Sequence, residues 1–321
     1  MTETTATATE YDLRKRAILV RVTTRVLGTQ KKDKEATATT AKAHEANEEQ
    51  VFVGKDILNK KNPAFKKINK IRGLARNFHL SVTGPWQDDG FRIIGTKTYS
   101  TWRETLEDLS TQFDDAVSEL VVAYADLKAE ARLNLGDLYD ETLYPAAEDL
   151  QDAFDITIET EVLPDRSNIA LDLDKARTEK IIQDAKAADD VRVKTLTADT
   201  HRIVREALEK MVESLAHYGE DNPGKKRAKH FKNTLVDNMT RLAETLPGLN
   251  ITGDARLDRL AQDIAEKLTI ADASDLRGDK RKGDNRTPEQ REKEAAATRE
   301  EVSTDAKELL DNLTDVFGGN A

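Results

Sequence analysis

The 321-residue chain contains no cysteine, which removes disulfides, thiolate metal sites and cysteine nucleophiles together. Aromatic residues are scarce at 5%, and all apolar residues make up 38% against 34% charged. So lean an apolar fraction suits long helices with a narrow buried stripe better than a thick sheet-centred core. No apolar run reaches the roughly 18 residues a membrane-spanning helix needs, and none follows a charged start. The expectation is a protein of the cytoplasm with no membrane contact. Prolines number only 7, so each one reads as a boundary between elements.

What is present is charge, unevenly distributed. The chain carries a net charge of −10, yet Gly54 to Arg103 holds eleven Lys/Arg against three acids, a local +8. Six aromatics lie in the same stretch: Phe65, Phe78, Trp86, Phe91, Tyr99 and Trp102. Cations interleaved with rings are what single-stranded nucleic acid requires, cations for phosphates and rings for bases. The candidate contacts are Lys60, Lys61, Lys66, Lys67, Lys70, Arg72 and Arg76 for phosphates, with Trp86, Arg92, Lys97 and Tyr99 completing a groove. The competing reading of such an island is a solvated helix face balanced by acids nearby. A weaker basic run, Lys225-Lys226-Arg227 with Lys229, His230 and Lys232, opens a later helix.

In chain order, the Thr/Ala-rich residues 1–10 read as a disordered tail and Arg16–Leu27 as a β-branched first strand. Residues 31–50 suit a loose helix or loop, and Val51–Val53 a short strand. Asn62-Pro63 starts a helix, because Asn caps it and proline at the first position lacks an N–H that would go unpaired anyway. Phe65, Ile68, Ile71, Ala75 and Phe78 share its apolar face, and Gly73 weakens it by about 1 kcal/mol relative to Ala. Strands His79–Thr83 and Phe91–Ile94 then form a hairpin. Thr101 and Glu104 make a capping box for a long helix whose seam runs Leu106, Leu109, Phe113, Val117, Leu120, Tyr124, Leu127, Ala131. That seam can pack in cis or against another copy.

Asp155–Val162 alternates as a strand and Ile169–Leu173 can pair with it. Helices follow around Ile203–Leu215, around Phe231–Leu246 closed by Pro247-Gly248, and around Leu257–Leu268. Arg277–Arg286 reads as a linker, and Thr287-Pro288-Glu289-Gln290 opens a last helix with stripe Val302, Ala306, Leu309, Leu313, Phe317. The expected fold is α+β and mostly helical: a small antiparallel sheet with a hairpin on a long helix, then a helical C-terminal half. The expected divisions are a tail (1–10), an α+β core with the basic helix and hairpin (11–174), a helical region (175–276), a linker (277–288) and an amphipathic helix (289–317).

Residues Phe65–Asp174 carry LSVTGPWQDDGFRII, QFDDAVSELVVAYADL and LYDETLYPAAEDLQDAFDITIETEVLPD. This segment resembles a family of functionally uncharacterised proteins found mostly in phages and prophages. The shared pattern is a Pro-Trp-acidic-Gly hairpin, a Phe/Tyr-rich helix, a Tyr-Pro step and a strand ending in proline. Some members are encoded beside a MoxR-type AAA+ ATPase, others near phage replication and recombination genes. The resemblance implies a phage context, with host cytoplasm as the location, and supplies no mechanism.

Catalytic signatures are missing. Gly90 to Thr98 approaches a P-loop, but Thr96 intrudes between Gly95 and Lys97, and Phe91–Ile94 is strand-like where a loop is needed. His44, His79, His201, His217 and His230 show no metal-ligand spacing. Of the acidic pairs Asp88/Asp89, Asp114/Asp115, Asp172/Asp174 and Asp189/Asp190, only Asp172/Asp174 share one side of an expected strand, and chance accounts for it. No glycine pattern of a nucleophile elbow surrounds any serine. The expectation is therefore a non-enzyme without cofactor or metal. It binds single-stranded nucleic acid as a homo-oligomer, with annealing and recombination as the setting. The alternative is an adaptor that self-assembles or binds an AAA+ ATPase through its long helices. The acidic stretch Glu300–Ala321 is a further candidate for docking or for packing on the body.

Overall fold

A computed structural model describes residues 13–165, 174–219 and 231–313. In chain order these form β1 (Ala17–Arg25), β2 (Gln30–Lys32), α1 (Lys34–Ala43), β3 (Gly54–Asp56), α2 (Pro63–Val82), β4 (Gly84–Pro85), β5 (Arg92–Gly95), α3 (Thr96–Leu135), β6 (Asp155–Glu161), α4 (Lys175–Ala216), α5 (Thr234–Leu249), α6 (Ala255–Leu268), α7 (Ala273–Arg277) and α8 (Pro288–Asp311). The fold is α+β and mostly helical. Its small antiparallel sheet has the order β4-β5-β1-β6, and β2 and β3 form a separate two-stranded ribbon. In the larger sheet Ala17 faces Gly95 and Val20 faces Arg92.

The chain divides into two compact units, neither of them a continuous stretch. One comprises residues 1–20, 81–100 and 160–321, and the other residues 21–80 and 101–159. The second unit takes its core from α2 (Phe65, Ile68, Ile71, Ala75) and α3 (Trp102, Leu106, Phe113, Val117, Leu120, Tyr124, Leu127), all buried. Between these helices Trp102 Nε1 donates to His79 Nδ1 at 3.3 Å, and Lys67 pairs with Glu119. The Phe65 and Phe154 rings meet at 6.4 Å. Within the ribbon's surroundings, Lys55 forms a buried ion pair with Asp33 at 2.8 Å and donates to the Leu138 carbonyl.

The first unit holds two apolar clusters. One joins Val204, Leu208 and Met211 of α4 to Met239 and Leu246 of α5, Ile264 and Leu268 of α6, and Val302 and Ala306 of α8. The other collects Ala17, Leu19, Trp86, Phe91, Ile93, Leu163, Leu196 and Ile251. Such clustering is how a 38% apolar chain builds a core: each helix contributes one stripe and leaves the rest to solvent.

Several sequence expectations are met. Asn62 caps α2 by accepting from Ala64 N, and Thr287 and Gln290 bond reciprocally as a capping box on α8. The apolar seam of α3 is as read, with Leu109 only half-buried, and it is consumed inside the chain rather than left for another copy.

Others are corrected. His79–Val82 is the last turn of α2, not a strand, because the inward step Ala75–His79–Val82 continues with all three buried. The hairpin's first strand is consequently only Gly84–Pro85. The long helix starts at Thr96, directly from the strand, not at Thr101. Trp102 and Leu106, both fully buried, anchor weak helix formers that propensity alone would leave uncoiled. The short strand lies at 54–56, after Val51–Val53. Pro247 and Gly248 belong to the last turn of α5, where Gly248 passes so near the Val82 carbonyl that a Cβ would stand 2.5 Å from it. Residues 1–10, Ile169–Leu173, Lys225–His230 and Phe317 lie outside the described residues.

Candidate nucleic-acid interface

The basic helix α2 contains five cations and no acid over its 20 residues. Its apolar face is inward, so Lys66, Lys67, Lys70 and Arg76 are exposed and Arg72 half-exposed on the remaining arc. Lys61 is exposed immediately before it. Among the described residues the side chains of Lys61, Lys66, Lys70, Arg72 and Arg76 make no ion pair or hydrogen bond. An exposed cation with no internal partner keeps its charge available at long range, and several on one helix add their potentials.

The other proposed contacts are engaged within the protein. Lys60 pairs with Asp56 at 2.5 Å, Lys67 with Glu119 at 2.6 Å and Lys97 with Asp258 at 2.5 Å. Burial pushes the Asp258 carboxyl up, but hydrogen bonds from Lys97 and Asn250 outweigh it and leave it below the usual carboxylate range. Arg92 donates from Nε to Thr83 Oγ1 at 2.6 Å and from Nη2 to the Thr83 carbonyl at 2.5 Å. Burial lowers its pKa from the ordinary arginine value. Thr83 follows the last residue of α2, so this guanidinium serves the negative end of that helix.

Trp86 is only 4% exposed and lies in the apolar cluster with Phe91 and Ile93, with the Arg192 guanidinium 5.8 Å from its ring centre. It therefore offers no face to a base, contrary to expectation. Tyr99 is half-buried, its hydroxyl 3.2 Å from Thr160 Oγ1. The α2 cations thus share one helix, while the side chains of Trp86, Arg92 and Lys97 are committed to contacts within their own unit. Nothing local to Lys67 or Lys97 announces these partners: Glu119 is 52 residues away and Asp258 is 161 away.

A second polar region is a cleft of 340 Å³ lined by α7, α8 and the segment between them, including Asp279, Arg286, Arg291 and Glu294. Its cations are occupied. Arg286 bonds Asp284 and Glu294, and Arg291 donates to the Gly278 and Arg286 carbonyls. Among the described residues no group of three His, Asp or Glu could hold a metal ion, and no helix is long and apolar enough to cross a membrane. Comparison of the chain with protein-family models, with curated proteins and with solved structures found no match.

Proposed function

We propose that the chain is a non-catalytic nucleic-acid-binding protein that holds phosphates through α2. The observation supporting this is the acid-free exposed face of that helix, where Lys66, Lys70, Arg72 and Arg76, with Lys61 beside it, are unpaired in a protein of net charge −10. In such a chain, five uncompensated cations on one short stretch favour a polyanion over general solubility as their purpose. Base stacking on Trp86 is no part of this reading. The phage setting implied by the resemblance, with recombination or annealing as the process served, accords with a nucleic-acid ligand.

Binding of a labelled oligonucleotide measured against salt tests the proposal. Log K is expected to fall with log salt with a slope of about 4.5 on a duplex, or about 3.5 on a single strand, if all five cations meet phosphates. Lys66→Glu combined with Lys70→Glu is expected to abolish binding at moderate salt. Wild-type affinity in that double variant would remove the assignment.

The adaptor reading retains one specific support. Val122 and Leu133 on α3 are each 86% exposed and, eleven residues apart, fall on nearly the same line of the helix. Self-association or docking of an AAA+ ATPase would use that outer line, not the buried seam.

A further inference from the structure

The exposed side of α2 is ordered in three rows at four-residue spacing: Lys66, Lys70, Leu74; then Asn69, Gly73, Asn77; then Arg72, Arg76, Leu80. Successive rows are offset by three residues, so they lie side by side on the helix surface. All nine positions are exposed or half-exposed. The amide-and-glycine row runs down the middle with two cations on either flank. Asn69 donates to the Phe65 carbonyl at 2.9 Å, which ties its nitrogen to the backbone, while Asn77 makes no side-chain bond among the described residues.

Gly73 has no reason of its own to be glycine. It sits in the interior of a helix, where glycine is disfavoured, and a Cβ placed there meets nothing within 4 Å. A glycine facing open solvent in mid-helix makes sense when another molecule must approach the backbone closely.

We propose, building on the phosphate-binding reading above, that the ligand is double-stranded DNA and that α2 lies in its major groove. A B-form major groove of about 12 Å admits a helix, whereas the minor groove at about 6 Å and the deep, narrow major groove of A-form RNA do not. In that placement Lys66 and Lys70 face one wall of phosphates and Arg72 and Arg76 the other. The middle row meets base edges, where an asparagine amide matches adenine N6 and N7. From residue 66 to 80 the rows extend about 21 Å, enough for roughly six base pairs. Single strands are disfavoured because this face carries no ring for bases to stack on: Phe65 is buried and Phe78 half-buried.

The test is fluorescence anisotropy at fixed moderate salt, using a labelled mixed-sequence DNA duplex, one of its strands, and an RNA duplex of the same length. Wild-type protein is expected to bind duplex DNA at least tenfold more tightly than either of the others. Gly73→Leu is expected to lose at least tenfold for duplex DNA with no fall in melting temperature. Equal affinity for the single strand or the RNA duplex would overturn the groove placement while leaving phosphate binding by α2 intact. Undiminished duplex binding by Gly73→Leu would do the same. Failure of wild-type protein to bind all three would overturn both.

Discussion

Both tryptophans are buried, but in opposite chemical situations. Trp102 Nε1 donates to His79 Nδ1, whereas Trp86 Nε1 is buried with no hydrogen-bond partner. A buried unpartnered donor costs about 1–3 kcal/mol, so Trp86→Phe removes that penalty along with some packing and is expected to be nearly neutral. Trp102→Phe loses a satisfied bond as well as volume and should destabilise by about 2 kcal/mol more, read from urea midpoints of the two variants. Asp284 gives a second residue-level test. Side-chain and backbone hydrogen bonds from Arg286 hold its carboxyl down at about 2, below the usual carboxylate range. A depressed carboxylate stabilises the fold fully above its ordinary pKa and loses that contribution as pH falls through the folded value. The stability difference between wild type and Asp284→Asn should therefore be constant above about pH 4 and shrink toward zero near pH 2, measured by denaturation at stepped pH.

At the scale of elements, two helix starts are legible in the sequence, whereas the Thr101–Glu104 box misplaces a third. The Thr287–Gln290 box and Asn62-Pro63 are local chemistry, and the structure shows both. Thr287→Ala is expected to cost about 1 kcal/mol, checked by thermal melts, with fraying of α8 visible in hydrogen exchange. The errors fall where tertiary contacts override local preference. His79–Val82 has the composition of a strand but is held helical by inward-facing His79 and Val82. Thr96–Ser100 is rich in β-branched and hydroxyl residues, yet coils because Trp102 and Leu106 are fixed in the core just beyond it. Gly95, at the junction of β5 and α3, would put a Cβ 3.0 Å from the Pro247 carbonyl, a constraint set by a segment about 150 residues downstream and invisible locally.

For the whole molecule, charge segregation could be seen in composition alone, but which cations stay free could not. Lys67 and Lys97 look no different in sequence from Lys66 and Lys70, and only the fold brings Glu119 and Asp258 to them. Trp86, set in a Gly/Pro-defined turn, has the local character of an exposed ring. Leu196 and Ile251, far along the chain, join it in one cluster and make it core. The unit containing that cluster draws on residues 1–20, 81–100 and 160–321, and its strand β1 pairs through Ala17–Val20 with Arg92–Gly95. During synthesis the first strand therefore leaves the ribosome roughly 75 residues before its partner, a delay of about 4–15 seconds at ordinary translation speed. Through that interval Ala17, Leu19 and Val20 have no sheet to join, so the nascent chain presents a sticky edge to chaperones and to neighbouring polysomes alike.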